Sequence, residues 1–184
     1  MENWTHARAV AFQSYAQRTI TALGTVDAGA VAEAAWHMHR EQRMGAHVFV
    51  IGNGGSFSTA EHIAADLSRS GGVKGVRGPG YLDWITGQAN DFGYESIFQA
   101  YLMMCATPGD VLIALSVSKQ SPNIILACQY WQERGDVIGL WGRRWPQGAD
   151  KFADVSIFVD DDDPKVVETC HLAIGQAWAD MVSA

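Results

Sequence analysis

The spacing of apolar positions changes at Gly45. Upstream, residues 4–23 and AGAVAEAAWHMHREQRM (28–44) carry apolar side chains at helical spacing. Asp27 stands at the N-cap of the second segment and Gly45 at its stop. Downstream, HVFVIG (47–52), VLIAL (111–115), DVIGLW (136–141) and VSIFV (155–159) are short runs that are apolar nearly throughout. Strands buried on both faces of a parallel sheet have this form. Helical segments over roughly 56–69, 94–106 and 122–134 separate them. The Gly-rich stretch 72–79, GVKGVRGP, predicts at best a short edge strand, and a last helix runs from Pro164 to the end. Strands alternating with helices predict an α/β core with a parallel sheet over 45–184, preceded by two N-terminal helices within 1–44. The apolar faces of those helices suit another subunit as well as their own sheet.

At 184 residues the expectation is one domain, 1–184, and a composition 48% hydrophobic supports a sizeable core. The net charge of -7 argues against a nucleic-acid binder, which needs a positive surface, and against a protein held to anionic membrane by charge. No apolar run approaches the ~20 residues that span a bilayer, and the polar N-terminus does not resemble a signal peptide. Cys105, Cys128 and Cys170 are too scattered for a disulfide framework or a zinc motif, so they are expected as reduced core residues of a cytoplasmic protein. Arg143 and Arg144 with Trp141 and Trp145 are expected as a surface loop with aromatic packing, and Asp160–Asp163 as a solvated loop with Asp163 capping the last helix.

Candidate chemistry sits in two loops that follow strands. Gly52-Asn53-Gly54-Gly55-Ser56 follows the first, where free N–H groups at a helix start form an anion site. Ser116-Val117-Ser118-Lys119-Gln120-Ser121-Pro122 follows VLIAL. Ser121 and Pro122 read as N-cap and first helical residue. Ser116 and Ser118 remain as hydroxyls for a phosphate, and Lys119 offers a charge. Neither loop matches a nucleotide motif, so a small phosphorylated ligand such as a sugar phosphate is expected and a nucleotide is not.

GNGGS, the helix with AEHIAADL, ANDFG and SVSKQS together resemble the sugar isomerase (SIS) domain family, and within it the phosphoheptose isomerase group. The resemblance extends over nearly the whole chain. It implies a three-layer, flavodoxin-like α/β sandwich assembled as a homotetramer with active sites shared between subunits. It also implies isomerisation of sedoheptulose 7-phosphate to glycero-manno-heptose 7-phosphate. By this resemblance Asn53, Gly54, Gly55 and Ser56 belong to the glycine loop that meets substrate. Asn90 and Asp91 match the pair that holds sugar hydroxyls, and Ser116, Ser118 and Ser121 match the phosphate-binding serines. Lys119 and Gln120 replace the usual Gly-Asn.

Such an isomerisation moves a proton between neighbouring carbons through an enediol, which needs an acid–base group and stabilisation of the enediolate. The group's usual set is a His and a Glu four apart on the first helix, then a Gln and a His eight apart on the last. Here those positions hold His62, Asp66, Glu168 and Gln176. Gln176 does not titrate, so Asp66 and Glu168 are expected to transfer protons, with His62 and Gln176 orienting substrate or metal. The same four residues are the candidate ligands of one divalent metal, zinc by the resemblance. Two other readings stay open. One is a catalytically altered SIS protein that binds a sugar phosphate or a protein partner, as the initiator-associated proteins do. The other is an isomerase of another heptose or octose phosphate. His171 is expected to be a packing residue of the last helix.

Overall fold

The computed structural model describes residues 2–143 and 148–183. Two helices lead, α1 (Glu2–Leu23) and α2 (Ala28–Arg43). The alternating part then runs β1 (His47–Ile51), α3 (Gly55–Arg69), β2 (Lys74–Arg77), α4 (Leu82–Phe92), a 3₁₀ turn (Tyr94–Ser96), α5 (Ile97–Cys105) and β3 (Val111–Ser116). It ends with α6 (Pro122–Trp131), β4 (Val137–Trp141), a 3₁₀ turn (Ala149–Phe152), β5 (Val155–Phe158) and α7 (Pro164–Ser183). The strands form one parallel sheet in the order β2-β1-β3-β4-β5.

Both faces of the sheet are covered, which is why its strands are continuously apolar. In β1, Val48 and Val50 join a core with Met38 of α2, Ile63 and Leu67 of α3, and Trp178 of α7. Phe49 and Ile51, pointing the other way, join Phe98 and Leu102 of α5 and Ile124 and Trp131 of α6. The Gly-rich stretch does form the edge strand β2. It lies so close to α3 that a side chain on Gly75 would collide with the Ala64 carbonyl.

α4 was not expected: Leu82 and Phe92 are exposed, and its inner face, Trp84, Ile85 and Ala89, is only partly buried. The segment expected as one helix over 94–106 is a 3₁₀ turn followed by α5. The N-terminal helices dock on α7. Trp178 Nε1 donates to the Val31 carbonyl at 3.0 Å, and the Tyr15 hydroxyl donates to the Lys165 carbonyl at 3.2 Å.

The run Asp160–Asp163 is solvated only in part: Asp160 and Asp162 are exposed, but Asp161 is buried. Arg18 of α1 donates to both Asp161 oxygens at 2.7 Å and to Asp162 at 2.7 Å, and holds the Asp161 carboxyl below its ordinary range. Asp163 caps α7 as expected, accepting from the Lys165 N–H at 3.0 Å. Cys128 and Cys170 are buried thiols, whereas Cys105 is exposed at the end of α5. No helix among the described residues is long and apolar enough to cross a membrane.

Candidate active site

The strand order puts the topological switch between β1 and β3. From β1 the chain crosses to β2 on one side, and β3 pairs with β1 on the other. In an open parallel sheet the crevice at this point, beyond the carboxyl ends of the strands, is where ligands bind. The glycine loop leaves β1 there and the serine loop leaves β3 there. A hollow of about 310 Å³, lined by Asn53, Tyr94, Glu95, Ser121, Pro122 and Asn123, lies between them. Larger hollows exist at the β5 edge (about 390 Å³) and near the end of α7 (about 430 Å³). They touch neither loop.

The glycine loop carries α3 out of the sheet with no side-chain cap. The Phe57 N–H is taken up by the Asn53 and Gly54 carbonyls at 3.2 and 3.1 Å, which leaves the Gly55 and Ser56 N–H groups ahead of the helical ladder. Glu168, from α7, fills part of that space. A Cβ on Gly55 would collide with its carboxylate, and Ser56 Oγ donates to Glu168 Oε1 at 3.4 Å. Glycine at 55 therefore brings a carboxylate against the positive end of a helix, where negative charge is favoured.

The serine loop is held from below. Ser116 Oγ accepts from the Lys119 N–H at 2.8 Å, and Ser118 Oγ accepts from the Gln120 N–H at 3.2 Å. Ser121 occupies the N-cap of α6, but its hydroxyl makes no capping bond. Lys119 does not offer its charge to a ligand in the crevice. Its side chain is 2% exposed. Nζ meets Asp150 Oδ2 at 3.0 Å and lies 5.0 Å from the Phe158 ring centre. The backbone there is left-handed, with φ 51°. That conformation costs a non-glycine residue about 1–2 kcal/mol. The buried ion pair and the Ala149 N–H bond to the Lys119 carbonyl (2.9 Å) hold it in place.

The expected acid–base set does not converge within one chain. Asp66 is buried on α3, with Arg69 donating to Oδ1 at 2.8 Å and His62 Nε2 lying 3.3 Å from Oδ2. It follows Gly55, where Glu168 docks, by eleven residues, which is about 16 Å along a helix. Gln176 is exposed on α7, two turns beyond Glu168. Among the described residues no group of three or more His, Cys, Asp or Glu side chains could hold a metal ion. With Arg69 on the Asp66 carboxylate, His62, Asp66, Glu168 and Gln176 do not fit a metal within one chain.

Asn90 and Asp91 are exposed at the end of α4, bonded to each other at 2.8 Å, and do not line the hollow. Of the patch around Trp141, that ring is buried and bonded to Ser156, and Arg143 pairs with Asp160 at 3.3 Å. Arg144 and Trp145 lie outside the described residues. Two residues of the site escaped the sequence reading. Tyr94 bonds Asn53 at 3.0 Å, and Asn123 exchanges hydrogen bonds with it at 2.9 and 2.8 Å. The available signal for Asn123 was one amide at the start of the otherwise apolar helix PNIILACQYW.

The SIS domain family matches residues 11–142, and the chain belongs to that family. Its relatives there are phosphoheptose isomerases. It is 34% identical to the phosphoheptose isomerase of Rhodospirillum rubrum, over 84% of this chain and 85% of that one. It is 30% identical to that of Nitratidesulfovibrio vulgaris, over 81% and 74%. The structure of a phosphoheptose isomerase from Neisseria gonorrhoeae superposes with a TM-score of 0.87 at 25% identity, over 97% of this chain and 99% of that one. These likenesses place the chain in the phosphoheptose isomerase group.

His171, on α7 three residues after Glu168, is fully buried, and neither ring nitrogen makes a hydrogen bond of ordinary geometry. Burial pushes its pKa down from 6.5 to about 4, and the nearby Trp141 backbone offsets only part of that. The folded state thus stays neutral here while the unfolded chain takes up a proton below pH 6.5. Stability should fall by up to about 3 kcal/mol as pH drops from 6.5 to 4, and His171→Leu should flatten that limb in urea titrations. An unchanged limb would mean that another group sets it. For the loop anchor, Asp150→Asn leaves the Lys119 ammonium buried without its counterion. It should cost about 2 kcal/mol, less than a fully buried pair because Asp150 is partly exposed. Equal stability of variant and wild type in chemical denaturation would show that the pair does not hold the loop.

Proposed function

We propose that this chain is a phosphosugar aldose–ketose isomerase that interconverts sedoheptulose 7-phosphate and glycero-manno-heptose 7-phosphate through an enediol. Relatives of that name at 34% and 30% identity support the assignment. The observation that carries it is Glu168, a carboxylate held against Gly55 and Ser56 where the glycine loop enters α3.

In this reading the phosphate sits on the serine loop, on the hydroxyls of Ser116, Ser118 and Ser121 and the N-terminus of α6. The open sugar chain crosses the hollow toward Asn53, Gly54 and Gly55. Glu168 takes the proton from C1 of the ketose, giving the enediolate; a proton passes from the C1 oxygen to the C2 oxygen, and return of the carbon proton to C2 gives the aldose. The N–H groups at the start of α3 stabilise negative charge developing on the neighbouring oxygens.

Asp66, His62, Gln176, Asn90 and Asp91 complete the site from a second copy. None of them reaches the Glu168 carboxylate in a single chain. The exposed Phe12 and Ile20 of α1, and Leu82, Phe92, Met103 and Met104 of α4 and α5, are faces on which copies associate. A cytoplasmic homotetramer with shared sites is the assembly we propose.

A second reading is a SIS protein that binds a sugar phosphate without turnover. It is favoured by the Asp66 carboxylate being tied to Arg69 and by the untitratable Gln176. Glu168→Gln separates the two. The variant should lose about 10²–10⁴-fold in kcat while a sugar phosphate still raises its melting temperature. Undiminished turnover would remove Glu168 from the chemistry. No turnover in the wild type, with the thermal shift intact, would support the binding protein.

A further inference from the structure

We propose that Asn123 and Tyr94 are positioning residues that fix the span between the glycine loop and the phosphate loop, and with it the length of sugar chain the site accepts. The inference rests on the proposed placing of phosphate at one loop and reacting carbons at the other.

Asn53 Nδ2 donates to Asn123 Oδ1 at 2.9 Å, and Asn123 Nδ2 donates back to Asn53 Oδ1 at 2.8 Å. Each oxygen also accepts a second bond, from the Tyr94 hydroxyl at 3.0 Å on Asn53 and from the Ile124 N–H at 3.0 Å on Asn123. The Ile124 donor fixes which way the Asn123 amide points, and the reciprocal pair then fixes Asn53. Both carbonyl oxygens have used their two lone pairs. The Asn53 oxygen is therefore committed to the protein, and what the glycine loop keeps for substrate is its backbone and the second N–H of the Asn53 amide.

Three segments meet in this latch: the turn after β1, the first turn of α6, and the 3₁₀ turn after α4. Asn123 is 1% exposed, so breaking the pair would leave a buried amide unsatisfied. The latch sits in the wall of the hollow that the sugar must cross. A rigid wall between two anchored ends selects length, because near-attack geometry tolerates little displacement.

The test uses acyclic polyol phosphates of six, seven and eight carbons, which have no carbonyl and cannot be isomerised, with inorganic phosphate as control. Dissociation constants are measured by calorimetry for the full-length wild type, Asn123→Asp and Tyr94→Phe. Asn123→Asp sets an oxygen against the Asn53 oxygen and pushes the loops apart. Tyr94→Phe removes one exposed donor and keeps the fold, so it decides the matter alone if the other variant does not fold.

The wild type should prefer one length. That preference should shrink about tenfold in Asn123→Asp and about threefold in Tyr94→Phe, with inorganic phosphate affinity unchanged. Loss of affinity by one common factor for every length, or a wild type indifferent to length, would overturn the proposal. Length selectivity without isomerisation of any sugar phosphate would sink the enzymatic reading and leave the latch standing. A wild type that binds none of these compounds would contradict both.

Discussion

The site depends on β1 and β3 being neighbours while β2 lies on the far side of β1. That order separates two crossovers and opens a crevice at the carboxyl ends of the two central strands. Both ligand-facing loops are rigid continuations of strands buried on both faces, so their spacing is set by the sheet. The hydrogen-bonded pairing of Ile51 with Ala114 brings the Gly52 and Ser116 ends into register. The amide pair of Asn53 and Asn123 extends that coupling past the end of the ladder.

Charges in this chain stabilise loops more than they advertise a ligand site. With a net charge of -7, an anionic substrate gains nothing from the global field. The buried cation nearest the phosphate loop, Lys119, is spent on Asp150 and Phe158. Arg18 is spent on the aspartate run before α7, and Arg69 on Asp66. At the serine loop itself the donors left for a phosphate are neutral: hydroxyls and the backbone N–H groups at the start of α6. Such donors bind an anion without a full charge that must itself be desolvated.

Much of this architecture was legible in the sequence, because it follows from local rules. Apolar runs with no alternation meant strands covered on both faces, and glycine- and serine-rich ends meant helix-start loops. Helix α4 was not legible, since none of its residues is fully buried and its inner face, Trp84, Ile85 and Ala89, is only partly covered. Lys119 was misread because exposure was assumed for a lysine in a polar loop, whereas its burial comes from Asp150, thirty-one residues away. The aspartate run was misread for the same reason, its partner Arg18 being more than 140 residues distant. Asn123 and Tyr94 matter through partners on other segments, and no spacing in the chain announces such a contact. Residue types at 62, 66, 168 and 176 were readable, but not that Asp66 and Glu168 stand far apart.

The central claim is that Glu168 supplies a working acid–base group in a chain with glutamine at 176. Incubation of the purified protein with sedoheptulose 7-phosphate in heavy water, followed by proton NMR, tests it most directly. The account predicts an aldose signal and deuterium entering the sugar at the carbons that exchange through the enediol. No exchange, with binding of the same sugar phosphate confirmed by thermal shift, would contradict it.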